Sequence, residues 1–197
     1  KLFYPNFNCP KELLVLTFKN ILIQKIIGVN RDVAWPVHFT SKIICAENVD
    51  PGSRSPGLSI GCYIDGRNGI IIGNNVWIGP RVSIVSKNHS LVNYNTYINT
   101  NPVTIEDNCW LGANVTILPG VTLGEHIVVA AGSVVTKSFI ESNILIGGVP
   151  ARKIKKIDNY ITYEVTSATT VRTIGYSTSG GTNVTIPATV TNASTTY

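Results

Sequence analysis

Three histidines are the residues of this 197-residue chain best suited to general acid–base chemistry. The imidazole group titrates closest to neutral pH among the common side chains, which makes it the usual general base in proteins. His38, His89 and His126 lie far apart in the sequence. Only His89 stands at a break in an otherwise regular apolar pattern. We therefore take His89 as the candidate base and expect surface or packing roles for the other two.

The four cysteines show no C-x-x-C spacing, and two of them fall inside the apolar pattern at positions that favour small inward side chains. Such residues in a reducing compartment are usually buried thiols. We expect none of them to act as a nucleophile or metal ligand. The cysteines are Cys9, Cys45, Cys62 and Cys109.

The apolar pattern that surrounds His89 repeats every six residues. This period fits neither the 3.6-residue turn of a helix nor the simple alternation of a strand. It is typical of a solenoid in which short strands wrap a narrow core. The aliphatic positions are Ile72, Ile78, Ile84, Ile105, Leu111, Ile117, Leu123, Val129 and Val135. A second small or aliphatic set follows four places later, at Val76, Val82, Cys109, Val115, Val121, Ile127 and Ser133.

The period predicts a triangular prism. Each hexapeptide is one flat face, three faces make one coil of about eighteen residues, and coils stack at the strand spacing of about 4.8 Å. Turns are expected at 73–75, 112–114 and 124–126, where Gly and Asn tolerate a left-handed backbone. Residues 88–102 interrupt the pattern and are rich in Asn and Tyr. A long loop in a tightly wound fold is usually functional.

The ends of the chain differ from the repeat. An amphipathic helix is predicted over Leu13–Ile27, lying on the body of the protein and ending at Gly28, and it is too short and polar to span a bilayer. Strand character is expected at 35–39. We divide the chain into an N-terminal helical cap segment at 1–34, a hexapeptide-repeat β-helix at 35–157, and a Thr/Ser-rich β tail at 158–197.

Within the tail, strands are expected at 161–165 and 184–186, with a turn at 179–181. The tail would cap the C-terminal end of the prism.

The net charge of +5 is compatible with a ligand that carries phosphates and equally with no anionic partner. The basic residues are scattered rather than arranged in a stripe with aromatic residues, so nucleic acid is not expected as a partner. No signal-peptide cleavage site follows the predicted helix. A cytoplasmic protein is the favoured interpretation.

Three motifs carry a resemblance to a known family: IIIGNNVWIGPRVSIVSKNH at 70–89, PVTIEDNCWLGANVTILPGVTLGEHIVVAAGSVVTKS at 102–138, and GGVPARKIKKI at 147–157. The chain resembles the hexapeptide-repeat acyltransferases, and within them the sugar and polysaccharide O-acetyltransferases of the maltose, galactoside and nodulation types. The resemblance implies an all-β fold, a left-handed parallel β-helix. It also implies acetyl-CoA as co-substrate, no metal, and a homotrimer with the active site between neighbouring prisms. The handedness would be an exception to the right-handed crossover rule.

By this resemblance His89 is the catalytic base, and it would act by direct transfer without a covalent acyl-enzyme. The coenzyme would lie against Trp110 at its acetyl end and against the backbone of Ala113 and Ala131. Cationic side chains near its phosphates have a plain electrostatic reason, although Arg152–Lys156 is also read as a solvated basic end. The residues implied near the phosphates are Thr136, Lys137, Arg152 and Lys153.

The acceptor side departs from the maltose and galactoside enzymes. Asn88 stands where they have Gly, and Asn and Tyr replace the Arg and acidic residues of their acceptor loop, so their sugar specificity is not carried over. Asn68 is a candidate acceptor contact, or a turn residue before Gly69. Tyr94 and Tyr97 are expected to pack on a sugar ring.

Two carboxylates are weak candidates for the group that orients His89. They are Asp65 and Asp107.

Two other classes are kept as alternatives. A zinc enzyme similar to the γ-carbonic anhydrases would need three His ligands, two of them close in sequence, and this chain lacks such a pair. A non-catalytic carbohydrate-binding or adhesive protein is suggested by residues 182–197, which resemble strands of surface leucine-rich-repeat proteins of the BspA type.

Overall fold

The computed structural model describes residues 19–157, 161–167, 170–176, 191–192 and 195–196. Its contacts divide the chain into two units, Lys1–Lys156 and Ile157–Tyr197. The regular secondary structure described in the first unit is mainly β, wound so that successive strands fall in turn on three sheets. We name these sheets faces A, B and C.

Face A contains β1 (Lys42–Ile44), β3 (Tyr63–Asp65), β6 (Ser83–Val85), β11 (Thr116–Ile117) and β14 (Val134–Val135). Face B contains β2 (Val49–Asp50), β4 (Ile70–Ile72), β9 (Val103–Ile105) and β12 (Thr122–Leu123). Face C contains β5 (Trp77–Ile78), β10 (Trp110–Leu111), β13 (Ile127–Val129), β15 (Ile144–Gly148) and β16 (Ala151–Lys156). A short hairpin, β7 (Asn88–His89) with β8 (Tyr97–Ile98), lies outside these faces.

The strand register gives the length of a coil. Ile117 pairs with Val135, 18 residues further on. Ile84 pairs with Ile117, 33 residues further on, because the segment 88–102 lies between them. The excursion therefore adds its own length to one coil and leaves the pairing of the faces unchanged.

The core agrees with the six-residue period. Every aliphatic position of the period is buried except Ile78, which is partly buried against the core. The second set, including Cys109 and Ser133, is buried as well. The sequence prediction of inward side chains is confirmed at both sets of positions.

The corners between faces explain the Gly and Asn residues. Asn75, Asn114 and His126 close the three predicted turns, and all have a positive φ, between 53° and 58°. Asn tolerates this left-handed backbone better than most residues with a side chain. His126 is thus a corner residue, and its ring nitrogen Nδ1 lies 2.7 Å from Asn143 Oδ1.

The predicted N-terminal helix is present in its described part, and the side chains that it buries are polar. Residues 19–22 are helical and continue into a π-helical turn at Ile23–Ile27, which ends at Gly28 with a φ of 92°; the predicted portion 13–18 lies outside the described residues. Gln24 is buried while Ile26 and Ile27 are exposed. The Gln24 amide donates to the carbonyl oxygens of Asn30, Val33 and Trp35, at 2.9, 3.1 and 3.0 Å. The helix is held by polar bonds to backbone, because these buried carbonyls need donors.

The strand predicted at 35–39 is wrong. The segment is irregular, and Pro36 has no N–H with which to join a strand ladder. It is fixed instead by single bonds: Trp35 Nε1 donates to Pro56 O at 2.9 Å, and His38 N donates to Gly57 O at 2.9 Å.

The last strand of the prism reverses direction. β16 runs antiparallel to β15, whereas the other strands of face C are parallel. In the second unit, β17 (Ile161–Ser167) contains the strand predicted at 161–165 and pairs antiparallel with β18 (Thr170–Tyr176). A further short hairpin joins β19 (Thr191–Asn192) to β20 (Thr195–Thr196). The strand predicted at 184–186 and the turn at 179–181 lie outside the described residues.

Within the residues that the structure describes, no helix has the length and apolar character needed to cross a membrane.

Candidate active site

His89 lies on the hairpin that forms the first part of the excursion. The excursion leaves face A after β6 and rejoins face B at β9, so it occupies the edge between these two faces. In the hairpin, Asn88 pairs with Ile98 and His89 pairs with Tyr97. The aliphatic side chains here are turned to solvent, and Leu91 and Val92 are 87% and 97% exposed. The hairpin therefore carries His89 away from the core and into an accessible position.

The imidazole ring of His89 has two defined contacts. Its Nδ1 atom lies 2.5 Å from the carbonyl oxygen of Tyr94. A carbonyl only accepts hydrogen bonds, so Nδ1 carries the hydrogen in the neutral ring and Nε2 keeps a free lone pair. The ring also packs against that of Tyr97, with 4.5 Å between centroids and an angle of 36°. This is the tautomer in which Nε2 can accept a proton.

Asp65 and Arg67 form an ion pair at the base of the hairpin. Asp65 ends β3 and is fully buried. Arg67 Nη2 donates to Asp65 Oδ2 at 2.6 Å, and Arg67 Nε donates to Oδ1 at 2.9 Å. Burial alone would raise the pKa of the Asp65 carboxyl, but the hydrogen bonds and charge of Arg67 outweigh it and the pKa lies below its ordinary value. The same pairing raises the pKa of Arg67.

Neither carboxylate considered from the sequence orients His89. Asp65 is occupied by Arg67. Asp107 lies on the edge between faces B and C, where Oδ1 accepts from Asn74 N at 2.6 Å. The orienting group is the Tyr94 carbonyl, five residues from His89. Every residue type carries a backbone carbonyl, so composition could not have pointed to it.

Asn68 lies on the coil preceding the excursion and holds the far end of it. Its side-chain Nδ2 donates to the carbonyl oxygen of Thr100 at 2.5 Å and to Thr100 Oγ1 at 3.2 Å. Its backbone N donates to Ser86 Oγ at 2.8 Å. Both ends of the excursion are thereby attached to the coil below. Asn68 therefore has a definite structural role, while contact with an acceptor stays a prediction.

The two tyrosines assigned to acceptor binding differ in position. Tyr94 is 74% exposed, and its carbonyl bonds to His89. Tyr97 is 45% exposed and packs on His89 with one face. Lys87 also lies against Tyr97, with Nζ 4.8 Å from the ring centroid. Tyr94 is the freer of the two for packing on a ligand.

Trp110 lies on face C, where it is paired in register with Trp77 of the coil below. Trp110 is 55% exposed and Trp77 is 50% exposed. Trp77 is covered by the guanidinium of Arg54, whose Cζ atom is 3.5 Å from the ring centroid, and its Nε1 donates to Asn75 Oδ1 at 3.2 Å. The sequence analysis identified neither Trp77 nor the Arg54 that covers it. The spacing of 33 residues between Trp77 and Trp110 equals the length of the coil that contains the excursion, and this spacing could have indicated that the two Trp residues are neighbours on face C.

Ala113 and Ala131 stack on the edge between faces C and A. Ala113 O accepts from Gly132 N at 2.8 Å, so the backbones of successive coils are bonded to each other at this edge. The other predicted coenzyme contacts separate into two places. Thr136 and Lys137 follow β14 on the edge between faces A and B and are exposed. Arg152 and Lys153 lie on β16 of face C.

The basic end of face C is partly neutralised. Lys153 Nζ donates to both carboxylate oxygens of Glu141, at 2.7 and 2.6 Å, and Lys156 Nζ lies 3.7 Å from Glu141. Arg152 remains exposed, with Nη1 bonded to the carbonyl oxygen of Ala151 at 2.9 Å. Arg152 is thus better placed than Lys153 to meet an incoming phosphate.

His89 and Trp110 stand on opposite sides of one prism. His89 is on the edge between faces A and B, and the face opposite that edge is C, which carries Trp110. A single chain therefore does not bring the candidate base and the predicted acetyl-end contact together. They can meet only where two prisms lie side by side.

The remaining histidines and cysteines lie apart from this region. His38 Nδ1 is 2.7 Å from Thr40 Oγ1, and burial lowers its pKa. Cys62 and Cys109 are buried free thiols, as predicted, and burial raises the pKa of Cys109 to about 12. Cys45 is a partly buried free thiol, and Cys9 lies outside the described residues. Among the residues that the structure covers, no group of three or more His, Cys, Asp or Glu side chains is placed to hold a metal ion.

Comparison with known proteins gives the class of this fold. Residues 102–137 match the family described as the hexapeptide repeat of succinyl-transferase. The hexapeptide-repeat-containing acetyltransferase of Vibrio cholerae, solved with acetyl coenzyme A, is similar in structure with a TM-score of 0.51 and 24% identity. That similarity covers 80% of this chain and 97% of that one. The described prism is a left-handed hexapeptide-repeat β-helix, and the predicted fold class is confirmed.

The relatives that match by sequence are proteins with more narrowly defined names than the structural match. The chain is 40% identical over 93 residues to galactoside O-acetyltransferase of Escherichia coli. This match covers 46% of this chain and 45% of that protein. It is 39% identical over 98 residues to galactoside O-acetyltransferase of Lactococcus lactis, covering 46% and 44%. The chain thus spans less than half the length of these relatives. The resemblance to hexapeptide-repeat acetyltransferases is confirmed, whereas the resemblance of residues 182–197 to surface leucine-rich-repeat proteins gains no support.

Proposed function

We propose that this protein is an acetyl-CoA-dependent O-acetyltransferase that modifies a hydroxyl group of a sugar or polysaccharide precursor. The observation that carries the proposal is the bond between His89 Nδ1 and the Tyr94 carbonyl oxygen. In the neutral ring this bond places the hydrogen on Nδ1 and leaves the lone pair of Nε2 on an exposed edge of the prism, which is the arrangement that a general base requires. The similarity to galactoside O-acetyltransferases supports acetyl transfer to a hydroxyl.

In the proposed reaction, Nε2 of His89 takes the proton of the acceptor hydroxyl while the hydroxyl oxygen attacks the acetyl carbonyl carbon. The carbon–sulfur bond of the thioester then breaks, and the imidazolium returns its proton to the coenzyme A thiolate. No covalent acyl-enzyme forms. Backbone N–H groups at a corner of the prism would stabilise the oxyanion.

The active site is proposed to lie between neighbouring prisms of a homotrimer. Support comes from the placement of His89 and Trp110 on opposite sides of one prism. Trp110, Ala113 and Ala131 would line the coenzyme on one chain, with Arg152 and Lys153 toward its phosphates. Thr136 and Lys137 lie on the same edge as His89 and would contact the coenzyme bound to the neighbouring chain.

On the acceptor side, Tyr94 would pack on the sugar ring, and Asn68 and Tyr97 would border it. A cytoplasmic location is part of the proposal, because acetyl-CoA is an intracellular metabolite.

Replacement of His89 tests the mechanism directly. We expect His89→Ala to lower kcat by about 10²- to 10⁴-fold, the usual contribution of a general base, in an assay that follows labelled acetyl-CoA with a panel of sugars and glycans. His38→Ala is the matched control and should keep kcat within about twofold, since the His38 side chain bonds to the nearby Thr40 and stacks on Phe39, away from His89. Equal turnover in His89→Ala and wild type would overturn the assignment.

A second candidate function, carbohydrate binding without catalysis, is separated by coenzyme binding. We expect coenzyme A to raise the Tm of the protein, because a ligand that binds only the folded state stabilises it. A Tm that does not move at millimolar coenzyme A, together with binding of glycans, would favour the adhesive alternative. The zinc alternative would need His38, His89 and His126 together, but His89 and His126 lie on different edges of the prism.

A further inference from the structure

Three side chains connect the buried body of the prism to the ring of His89. Asp65 is fully buried at the end of β3. Arg67 lies two residues after Asp65 and pairs with it, and the backbone N of Arg67 also donates to Asp65 Oδ1 at 3.2 Å. The guanidinium then reaches the excursion, where Nη1 donates to Tyr97 Oη at 3.4 Å. Tyr97 in turn packs on His89 at 4.5 Å between ring centroids.

We propose that Arg67 is a positioning residue that holds Tyr97, and through Tyr97 the imidazole of His89, in the orientation needed for base catalysis. This inference rests on the proposed acetyltransferase function. We name Asp65, Arg67, Tyr97 and His89 the positioning chain.

The need for such a chain follows from the exposure of the hairpin. The strands β7 and β8 are two residues each, and an isolated hairpin of this length is not stable in water. His89 has no core around it, since the neighbouring Leu91 and Val92 are exposed. One hydrogen bond to the Tyr94 carbonyl favours the Nδ1–H tautomer but does not by itself hold the ring in place, so the ring can swing out of that bond and lose the preference. A second contact on the ring face removes this freedom.

The Asp65–Arg67 end of the positioning chain holds the guanidinium in a fixed orientation. Three of the Arg67 side-chain bonds go to the Asp65 carboxylate, at 2.9, 3.1 and 2.6 Å, so the guanidinium plane is fixed by a side-on pairing. The remaining terminal nitrogen then points in one direction, toward Tyr97. A lysine could pair with Asp65 but would not present a second, rigidly directed donor.

The test separates positioning from stability by conservative variants. Arg67→Lys should keep the ion pair with Asp65 and hence the Tm, while losing the bond to Tyr97 Oη. Tyr97→Phe removes only that hydroxyl and keeps the ring on His89. We expect each variant to lower kcat by about three- to tenfold with the KM for acetyl-CoA within about twofold, because a small misplacement of the base affects the transition state more than coenzyme binding.

Lys87→Gln is the matched control. Lys87 lies against the same ring as a cation, 4.8 Å from its centroid, and not as a donor to its hydroxyl. We expect its kcat to stay within about twofold of wild type. If Lys87→Gln lowers kcat as much as Arg67→Lys, any change beside the Tyr97 ring is enough to impair the base, the directed hydrogen bond has no special role, and the proposal is overturned.

A second readout does not depend on activity. Nitrogen-15 NMR of the imidazole rings, assigned with His89→Ala, should show His89 as the Nδ1–H tautomer in wild type and a mixture of tautomers in Arg67→Lys and Tyr97→Phe. Failure of wild type to transfer acetyl groups would overturn the proposed function and leave this measurement to decide the positioning chain. Wild-type tautomer signals in both variants, with unchanged kcat wherever transfer is seen, would overturn the positioning role.

Discussion

At the scale of single residues, His89 differs from the other two histidines in what surrounds it. His126 occupies a corner that needs a left-handed backbone, and His38 bonds to Thr40 beside it. His89 is held by a carbonyl on one nitrogen and an aromatic face on the ring. The six-residue period identified the place of His89 because it stops there. Its partners could not be predicted, because one is a backbone atom and the other depends on how the hairpin pairs.

The ion pair of Asp65 and Arg67 makes stability depend on pH. The pKa of Asp65 in the folded protein lies below its ordinary value of 3.8. A depressed pKa contributes stability that is fully present above the unfolded value and is lost as the pH falls through the folded value. Asp65→Asn should therefore unfold more easily than wild type at pH 6–7, by about 1–2 kcal/mol, and the difference should shrink on acidification below about pH 4.

Urea unfolding at a series of pH values measures this difference. Asp50→Asn provides the control, since Asp50 is exposed and its carboxylate accepts a bond from the nearby Gly52 N. A difference between Asp65→Asn and wild type that stays constant from pH 7 to pH 2 would contradict the pH dependence assigned to the pair.

At the scale of elements, the prism was largely predictable and the N-terminal segment was not. Burial of every second-set position such as Val115 and Cys109 follows from the period, since each coil repeats the same packing. The segment before β1 has no repeat to constrain it. There the buried side chain is Gln24, whose bonds go to carbonyls that no local pattern identifies. A rule that assigns apolar residues to the buried face fails where backbone groups must be satisfied first.

The close stacking of coils can be tested at Gly112. Its backbone has no left-handed requirement, but a Cβ there would lie 2.7 Å from Ala131 N and 2.9 Å from Val129 O. We expect Gly112→Ala to lower the free energy of unfolding by about 1–3 kcal/mol, because backbone atoms cannot give way easily.

The matched variant on the next coil is Gly132→Asn. Gly132 has a φ of 72° and open space around its Cβ position among the described residues, and Asn already occupies the left-handed position at Asn114. Its free energy of unfolding should change by less than about 0.5 kcal/mol. Urea midpoints for the two variants that are equal within error would contradict the role given to coil contact.

At the scale of the whole molecule, the separation of His89 from Trp110 predicts that activity needs more than one chain. The two residues lie on opposite sides of the prism, so a site that uses both must combine two copies. Closed cyclic symmetry would give each copy one such site. We expect the protein to be a trimer by light scattering.

Complementation between inactive variants tests this expectation. His89→Ala and Trp110→Ala should each be inactive alone, and mixed trimers assembled by co-expression should regain about a quarter of wild-type activity, because one in four interfaces then pairs an intact His89 with an intact Trp110. Mixing two preparations of His89→Ala is the control. No recovery in mixed assemblies, or a monomeric active protein, would show that one chain holds the whole site.

The attachment of the excursion at both ends has a consequence for how acceptor preference can change. Thr100 Oγ1 lies 3.5 Å from the Ser86 carbonyl oxygen, so the segment closes on itself where it leaves the prism. Ile84 pairs with Ile117 although residues 88–102 lie between them in the sequence. Neither the core nor the coil register depends on residues 88–102. A change in the length of this segment would therefore leave the prism unchanged. Loops of other lengths could be exchanged here if they keep His89 and its contacts with Tyr94 and Tyr97, and under the proposed function this would change the acceptor while face C stays the same.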